Sequence, residues 1–289
     1  MIIEIIIFVI TTILAYYFYV HKKIQMTLRR KGIKYLPGLP FFGNILKSTF
    51  LRRHVLDDIE EIYKAFPEER PQNLLRGDDQ FLQEPCVQHH RSSAATLVMC
   101  IHELALSPQV QEKLFQELVE HRKREGKLSY DNIGELNYLD CVLNETTRKW
   151  SAAIVLDRVC LKAYELPPPR EGGKPVQLKE GDLIYNVVNA IHMDPKHFPE
   201  PKTFDPERFS DENKHKIKPF SFMPFGSGPR NCIGSRFALL ELKVMIHDLV
   251  LNYKIVKTAK TLDPLRLQPS DFNLRAFGGG TRVQFERRE

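Results

Sequence analysis

Residues 222–241 read "FMPFGSGPRNCIGSRFALLE", a Gly-rich turn that holds a single Cys and runs directly into an apolar, helix-compatible stretch. Phe225, Gly226, Gly228, Arg230, Cys232 and Gly234 space out as F-G-x-G-x-R-x-C-x-G. A dinucleotide-binding fingerprint wants a third Gly where Asn231 stands and a parallel strand before it, and a phosphate loop wants Lys-Ser or Lys-Thr at its end. Neither is present. A zinc site wants further Cys or His at ligand spacing, and none lies nearby in the sequence.

What the stretch can build is a rigid turn that presents one sulfur at a helix N-terminus. Gly226 and Gly228 let the backbone fold tightly beneath that sulfur, where amide groups and the helix dipole favour thiolate over thiol. A lone thiolate so placed is a metal ligand. Gly234 removes a side chain where something flat can lie against the helix, and Arg230 is placed to meet an anionic group on it. A flat, anionic, iron-bearing object is haem.

On these residues the chain resembles the cytochrome P-450 family, whose haem signature is F-x-x-G-x-R-x-C-x-G. Further matching stretches follow the family's order: Glu145 and Arg148 in "ETTR" fit its E-x-x-R, and "FDPERF" fits its P-E-R-F segment with Arg208 as the Arg. The resemblance implies that Glu145, Arg148 and Arg208 form a buried, salt-bridged triad supporting the proximal side of the haem. Residues i and i+3 share a helix face, and a guanidinium can pair bidentately with a carboxylate, although spacing alone favours a solvated surface pair. Arg158 in "LDRVC" resembles the position that reaches a haem propionate, or is a strand-edge charge. Phe225 resembles the aromatic packed against the thiolate, or is ordinary core.

The same resemblance implies an activity: a haem-thiolate monooxygenase, with Cys232 as proximal iron ligand, that inserts one oxygen atom of O2 into a small hydrophobic substrate. The electrons are implied to come from NADPH through a membrane-bound flavoprotein reductase. The fold it implies is mainly α with a minor β portion, a partial cytochrome P-450 fold comprising the proximal haem-binding half.

Charge distribution excludes nucleic acid as a partner. Lys22, Lys23, Arg29, Arg30, Lys31 and Lys34, set against Glu4, account for nearly all of the net +6, so the body offers no broad phosphate-binding field. Ahead of that basic run, Ile5–Val20 is nearly continuous apolar sequence with Tyr16, Tyr17 and Tyr19 toward its end. It reads as a retained membrane anchor with the positive side cytosolic, because the basic residues follow the apolar run and no small-x-small cleavage site appears. With the resemblance, this predicts an endoplasmic reticulum membrane protein: anchor 1–21, basic and Pro-rich hinge 22–43, and a shortened haem-binding body over 44–289. Five scattered cysteines without a C-x-x-C suit a reducing compartment.

Within the body, "RRHVLDDIEEIYKAF" has helical spacing, and Pro67–His90 shows neither helical nor strand period and reads as loop. Helices are predicted from Ser92, from Pro108 with Ser107 as N-cap and an end near Gly126, and over "ELNYLDCVLNETTRKW". A short irregular sheet follows. The helix from Cys232 to Tyr253 is apolar on nearly all sides and is expected to be the most buried element.

The chain also departs from the family. Members are longer by roughly two hundred residues, and the difference falls between about Phe66 and His90, where the family carries the roof of the substrate cavity and a W-x-x-x-R element. Trp150, the single Trp, sits elsewhere and lacks that Arg. The oxygen-activating pattern A/G-G-x-D/E-T-T/S aligns with Gln88–Ser93, so a hydroxyl survives at Ser92, the candidate catalytic residue, while the acid is replaced by Arg91. His89 or His90 could then approach the iron. Beside an enzyme, the departures admit a non-catalytic haem-binding remnant and a misfolded product of an abridged gene.

Overall fold

A computed structural model of the chain describes residues 18–19, 22–23, 26, 85–168, 172–268, 274, 276–278 and 281–288. The anchor, hinge and early-helix expectations lie outside these residues, apart from the few named positions before 27. Among the described residues no helix is long and apolar enough to cross a membrane.

The described chain is mainly helical with a few short strands. Helices α1 (Pro85–Leu106), α2 (Pro108–Glu125) and α3 (Asn137–Lys149) come first, followed by strands β1 (Leu156–Val159), β2 (Tyr164–Leu166), β3 (Val176–Leu178) and β4 (Leu183–Asn186). The short helix α4 (Val188–His192), the long helix α5 (Ser235–Asn252) and strands β5 (Tyr253–Lys257) and β6 (Val283–Arg287) complete the order. The strands pair antiparallel as β1 with β4, β2 with β3 and β5 with β6. The short irregular sheet expected after α3 is thus two separate two-stranded pieces, with β5–β6 a third one beyond it, each too small to hold a core of its own.

The main core lies among α1, α2, α3 and α5 and is closed by Ile255 of β5. Leu139, Val142 and Leu143 follow the i, i+3, i+4 rule on α3, and Leu114 and Leu118 do so on α2. Two polar side chains, the half-buried Glu117 and the buried Gln111, tie the helices together. Glu117 of α2 accepts the amides of Tyr138 and Leu139 at 2.6 and 2.9 Å, satisfying donors that the first turn of α3 leaves open. Gln111 donates to the carbonyls of Leu104 and Ile255 and accepts the Ile255 amide at 2.8 Å, so β5 is fixed to the end of α1.

Three expectations are corrected here. The predicted loop through His90 is helical from Pro85, since Pro fits the first turn of a helix and its sequence carries no apolar period to read. Ser107 stands at the α2 N-cap, but its side chain makes no capping bond; its carbonyl accepts the Gln111 amide instead. Most importantly, α5 is not the most buried helix. It buries only the stripe Leu242, Ile246 and Val250 with Lys243, whereas Phe237, Val244 and Met245 are 62%, 46% and 44% exposed. The short helix α4 takes that place, with all five of its residues buried, and α3 follows with eight of its 13, because neighbours pack on both from several sides.

Candidate haem-thiolate site

The loop before α5 is built by its glycines. Gly226 and Gly228 have φ of +76° and +81°, a region that L-residues with a Cβ rarely adopt. The Gly226 amide donates to Met223 O at 3.1 Å and the Asn231 amide to Gly228 O at 3.1 Å. The Cys232 amide then closes the loop by donating to Phe225 O at 2.8 Å. A Cβ at Gly228 would meet nothing within 4 Å, so a substitution there reports backbone strain alone. Gly228→Ala is expected to destabilise the chain by about 1–2 kcal/mol, measured as a shift of the urea midpoint at unchanged slope.

Cys232 sits three residues before α5 and is half-buried, unlike Cys100, Cys141 and Cys160, which are buried free thiols. Burial pushes Cys100 up to about 12 and Cys141 up to about 11, which silences both as thiolates. Gly234 occupies the α5 N-cap position, with its carbonyl accepting the Ala238 amide at 2.9 Å. Beside the sulfur in sequence, Ile233 is 83% exposed, and Phe237 follows one turn on. Among the described residues no group of three His, Cys, Asp or Glu side chains could hold a metal ion.

The flanking cations are placed as follows. Arg230 is exposed on the loop. Arg158 is half-buried on β1, opposite Ile184 of β4, and donates to Asp157 O at 2.7 Å. Leu156, two residues earlier and therefore on the same face of β1, lies with its Cδ1 3.6 Å from where a Gly226 Cβ would be. The strand face that carries Arg158 thus packs on the cysteine loop. Ser92 is half-buried on α1, and its carbonyl accepts the Thr96 hydroxyl at 2.9 Å.

The donor set fits a haem: one unsealed thiol, exposed apolar side chains next to it and two guanidinium-bearing residues on the loop and the strand beside it. Cys232 would hold the iron, and Arg230 and Arg158 would meet the carboxylate edge.

Behind the loop lies a buried ionic core. Arg148 Nε and Nη2 donate to Glu145 Oε2 and Oε1 at 2.7 and 2.8 Å, a bidentate fork with both side chains wholly inaccessible. Arg148 Nη1 donates to His192 O at 2.9 Å and Nη2 to Pro201 O at 2.8 Å. Glu145 Oε1 also accepts the Asp205 amide at 2.9 Å. Burial raises the Glu145 pKa, opposed by the hydrogen bonds and charge of Arg148, the Asp205 amide and the charge of Arg208. Arg208 approaches less closely: its Nε is 3.6 Å from Glu145 Oε1, an ion-pair distance without a hydrogen bond, and its Nη2 donates to Glu200 O at 3.2 Å.

One residue of this site is not among those singled out from the sequence. His192, fully buried at the end of α4, accepts the Met223 amide on Nε2 at 2.9 Å. Its signal was a lone imidazole closing the apolar run "VVNAIH", a polar ring that must find a partner once buried. Trp150, at the C-cap of α3, donates its indole N–H to Glu103 Oε1 at 2.8 Å and serves the α1–α3 contact.

A family model described as Cytochrome P450 matches residues 90–275. The chain is 43% identical over 188 residues to Cytochrome P450 9e2 of Blattella germanica, covering 64% of this chain and 34% of that protein. To Cytochrome P450 9c1 of Drosophila melanogaster it is 37% identical over 232 residues, 76% of this chain and 44% of the relative. To Cytochrome P450 3A11 of Mus musculus it is 39% identical over 178 residues, 62% and 34% respectively. The matched part of the chain therefore spans between a third and a half of these relatives' length. With the cysteine loop, the buried Glu145–Arg148 fork and these matches in one chain, the protein belongs to the cytochrome P450 family.

Proposed function

We propose that this chain is a haem-thiolate monooxygenase acting on a small hydrophobic substrate, with Cys232 Sγ as the proximal ligand to the iron. The observation that carries the reading is the loop itself: two glycines at positive φ and a closed Cys232-to-Phe225 backbone bond hold one unsealed sulfur ahead of α5. When bound, haem supplies oxygen activation, placing one atom of O2 in a C–H bond and releasing the other as water.

The chain's own residues have separable tasks. Cys232 would hold the iron through its Sγ, presented three residues ahead of α5. Phe225, whose carbonyl accepts the Cys232 amide, would set its ring beside the sulfur, and Gly234 would leave room for a flat ring system. Arg230 and Arg158 hold the anionic edge by charge-assisted hydrogen bonds. Glu145 and Arg148, with Arg208 near them, brace the proximal side. Ser92 Oγ offers the hydroxyl that passes a proton on the α1 side. Electrons are proposed to come from NADPH through a flavoprotein reductase, with residues 1–21 as an endoplasmic reticulum anchor, 22–43 as hinge and 44–289 as cytosolic body.

A second reading, a chain that binds haem without turnover, is favoured by one sequence observation: Arg91 stands where the family pattern has its acid, so the acid–alcohol relay lacks its acid. The test is a ferrous–carbon monoxide difference spectrum of the full chain expressed in membranes. A thiolate-type Soret band is expected, and Cys232→Ala is expected to abolish it while far-ultraviolet circular dichroism is retained. NADPH-driven oxidation then selects the enzyme, and a band without turnover selects the second reading. No band in the parent chain overturns both and points to a misfolded product.

A further inference from the structure

We propose that His192 is a positioning residue for the cysteine loop, because one buried residue joins the Glu145–Arg148 fork through its carbonyl and the loop through its ring. Its carbonyl accepts Arg148 Nη1 at 2.9 Å, and its Nε2 accepts the Met223 amide at 2.9 Å. Two residues beyond Met223, Phe225 O accepts the Cys232 amide. A continuous path of short contacts thus runs from α3 to the backbone of the sulfur-bearing residue.

The ring is suited to this task. It is wholly buried, so the Met223 amide has no water to replace a lost acceptor. Acceptance at Nε2 fixes the neutral tautomer with the proton on Nδ1. Phe222, beside Met223 in the chain, lies against the imidazole with ring centroids 5.4 Å apart, and Phe198 meets it edge-on at 6.3 Å. Those two rings hold the imidazole plane and so the direction in which Nε2 points. The purpose assigned to the loop rests on Cys232 as the iron ligand, while the positioning itself can be read without haem.

The experiment is amide hydrogen exchange by mass spectrometry on the full chain, comparing parent, His192→Phe and His192→Gln. Phe keeps an aromatic ring but cannot accept; Gln keeps an acceptor at about the reach of Nε2. His192→Phe is expected to speed exchange in the 222–232 segment about tenfold or more, with the peptides of α2 unchanged. His192→Gln is expected to stay within about twofold of the parent. In the haem-loaded chain the same order is expected in the fraction of thiolate-type carbon monoxide band.

Loop exchange that is unchanged in His192→Phe, a rise spread evenly over all helices, or a Gln variant as fast as Phe overturns the proposal. Should Phe fail to fold while Gln folds, the need for an acceptor is established; failure of both overturns it. If the parent chain lacks the thiolate-type band, the ligand reading falls, while the exchange comparison still decides the positioning.

Discussion

An Arg148→Ala chain is expected to unfold about 3–5 kcal/mol more easily than the parent. The guanidinium is the largest wholly buried side chain of α3 and supplies the fork to Glu145 together with bonds to His192 O and Pro201 O. Its removal strands a carboxylate in a site that admits no water and orphans two carbonyls at once. Arg148→Lys would not repair this, since an ammonium has no planar fork to meet both carboxylate oxygens. A Glu145→Leu/Arg148→Met chain is expected to recover part of the loss, because it removes the unpaired charge. Recovery stays incomplete: the Asp205 amide and the His192 and Pro201 carbonyls remain without partners, at about 1–3 kcal/mol each. Urea denaturation of the parent, the Ala variant and the double variant decides it. A single variant within about 1 kcal/mol of the parent, or a double variant no better than the single, would show that the fork does not hold the fold.

Local signals made part of this architecture legible. The 3.6-residue period of Leu114, Leu118, Leu139, Val142 and Leu143 and the Pro108 and Gly126 punctuation placed α2 and α3 within a residue or two. The glycine spacing before Cys232 announced the turn, since only a strained backbone needs glycine at both positions. What periodicity cannot carry is which faces find neighbours. Helix α5 is apolar nearly all round in composition, yet a single stripe packs, because partners and not composition decide burial. Long-range polar contacts were equally hidden. The pairing of Glu145 with Arg148 follows from i, i+3 spacing, but the Asp205 amide, 60 residues away, and the 3.6 Å gap to Arg208 are products of the tertiary fold. His192 belongs to the same class: its sequence neighbourhood shows a polar ring in an apolar run and says nothing of Met223.

His192 carries the second large effect, read through pH. Burial, with the Arg148 charge beside it, pushes its pKa down to about 3 from the ordinary 6.5. Below about 6.5 the unfolded chain binds a proton at this position and the folded chain does not, so acidification favours unfolding until the pH approaches about 3. By pH 5 this linkage removes about 2 kcal/mol from the parent relative to pH 8. Glu117 and Glu145, whose pKa values burial raises, work in the opposite direction nearer their own range, and both are present in every variant of position 192. The comparison with His192→Gln isolates the imidazole: Gln cannot take up the proton in the unfolded chain. The stability difference between the two chains, followed by urea titration from pH 8 to pH 5, is expected to shift toward the Gln chain by about 2 kcal/mol. Parallel curves would mean that the ring is protonated as readily when folded. An imidazolium has no lone pair at Nε2, so that result would also deny the Met223 amide its acceptor.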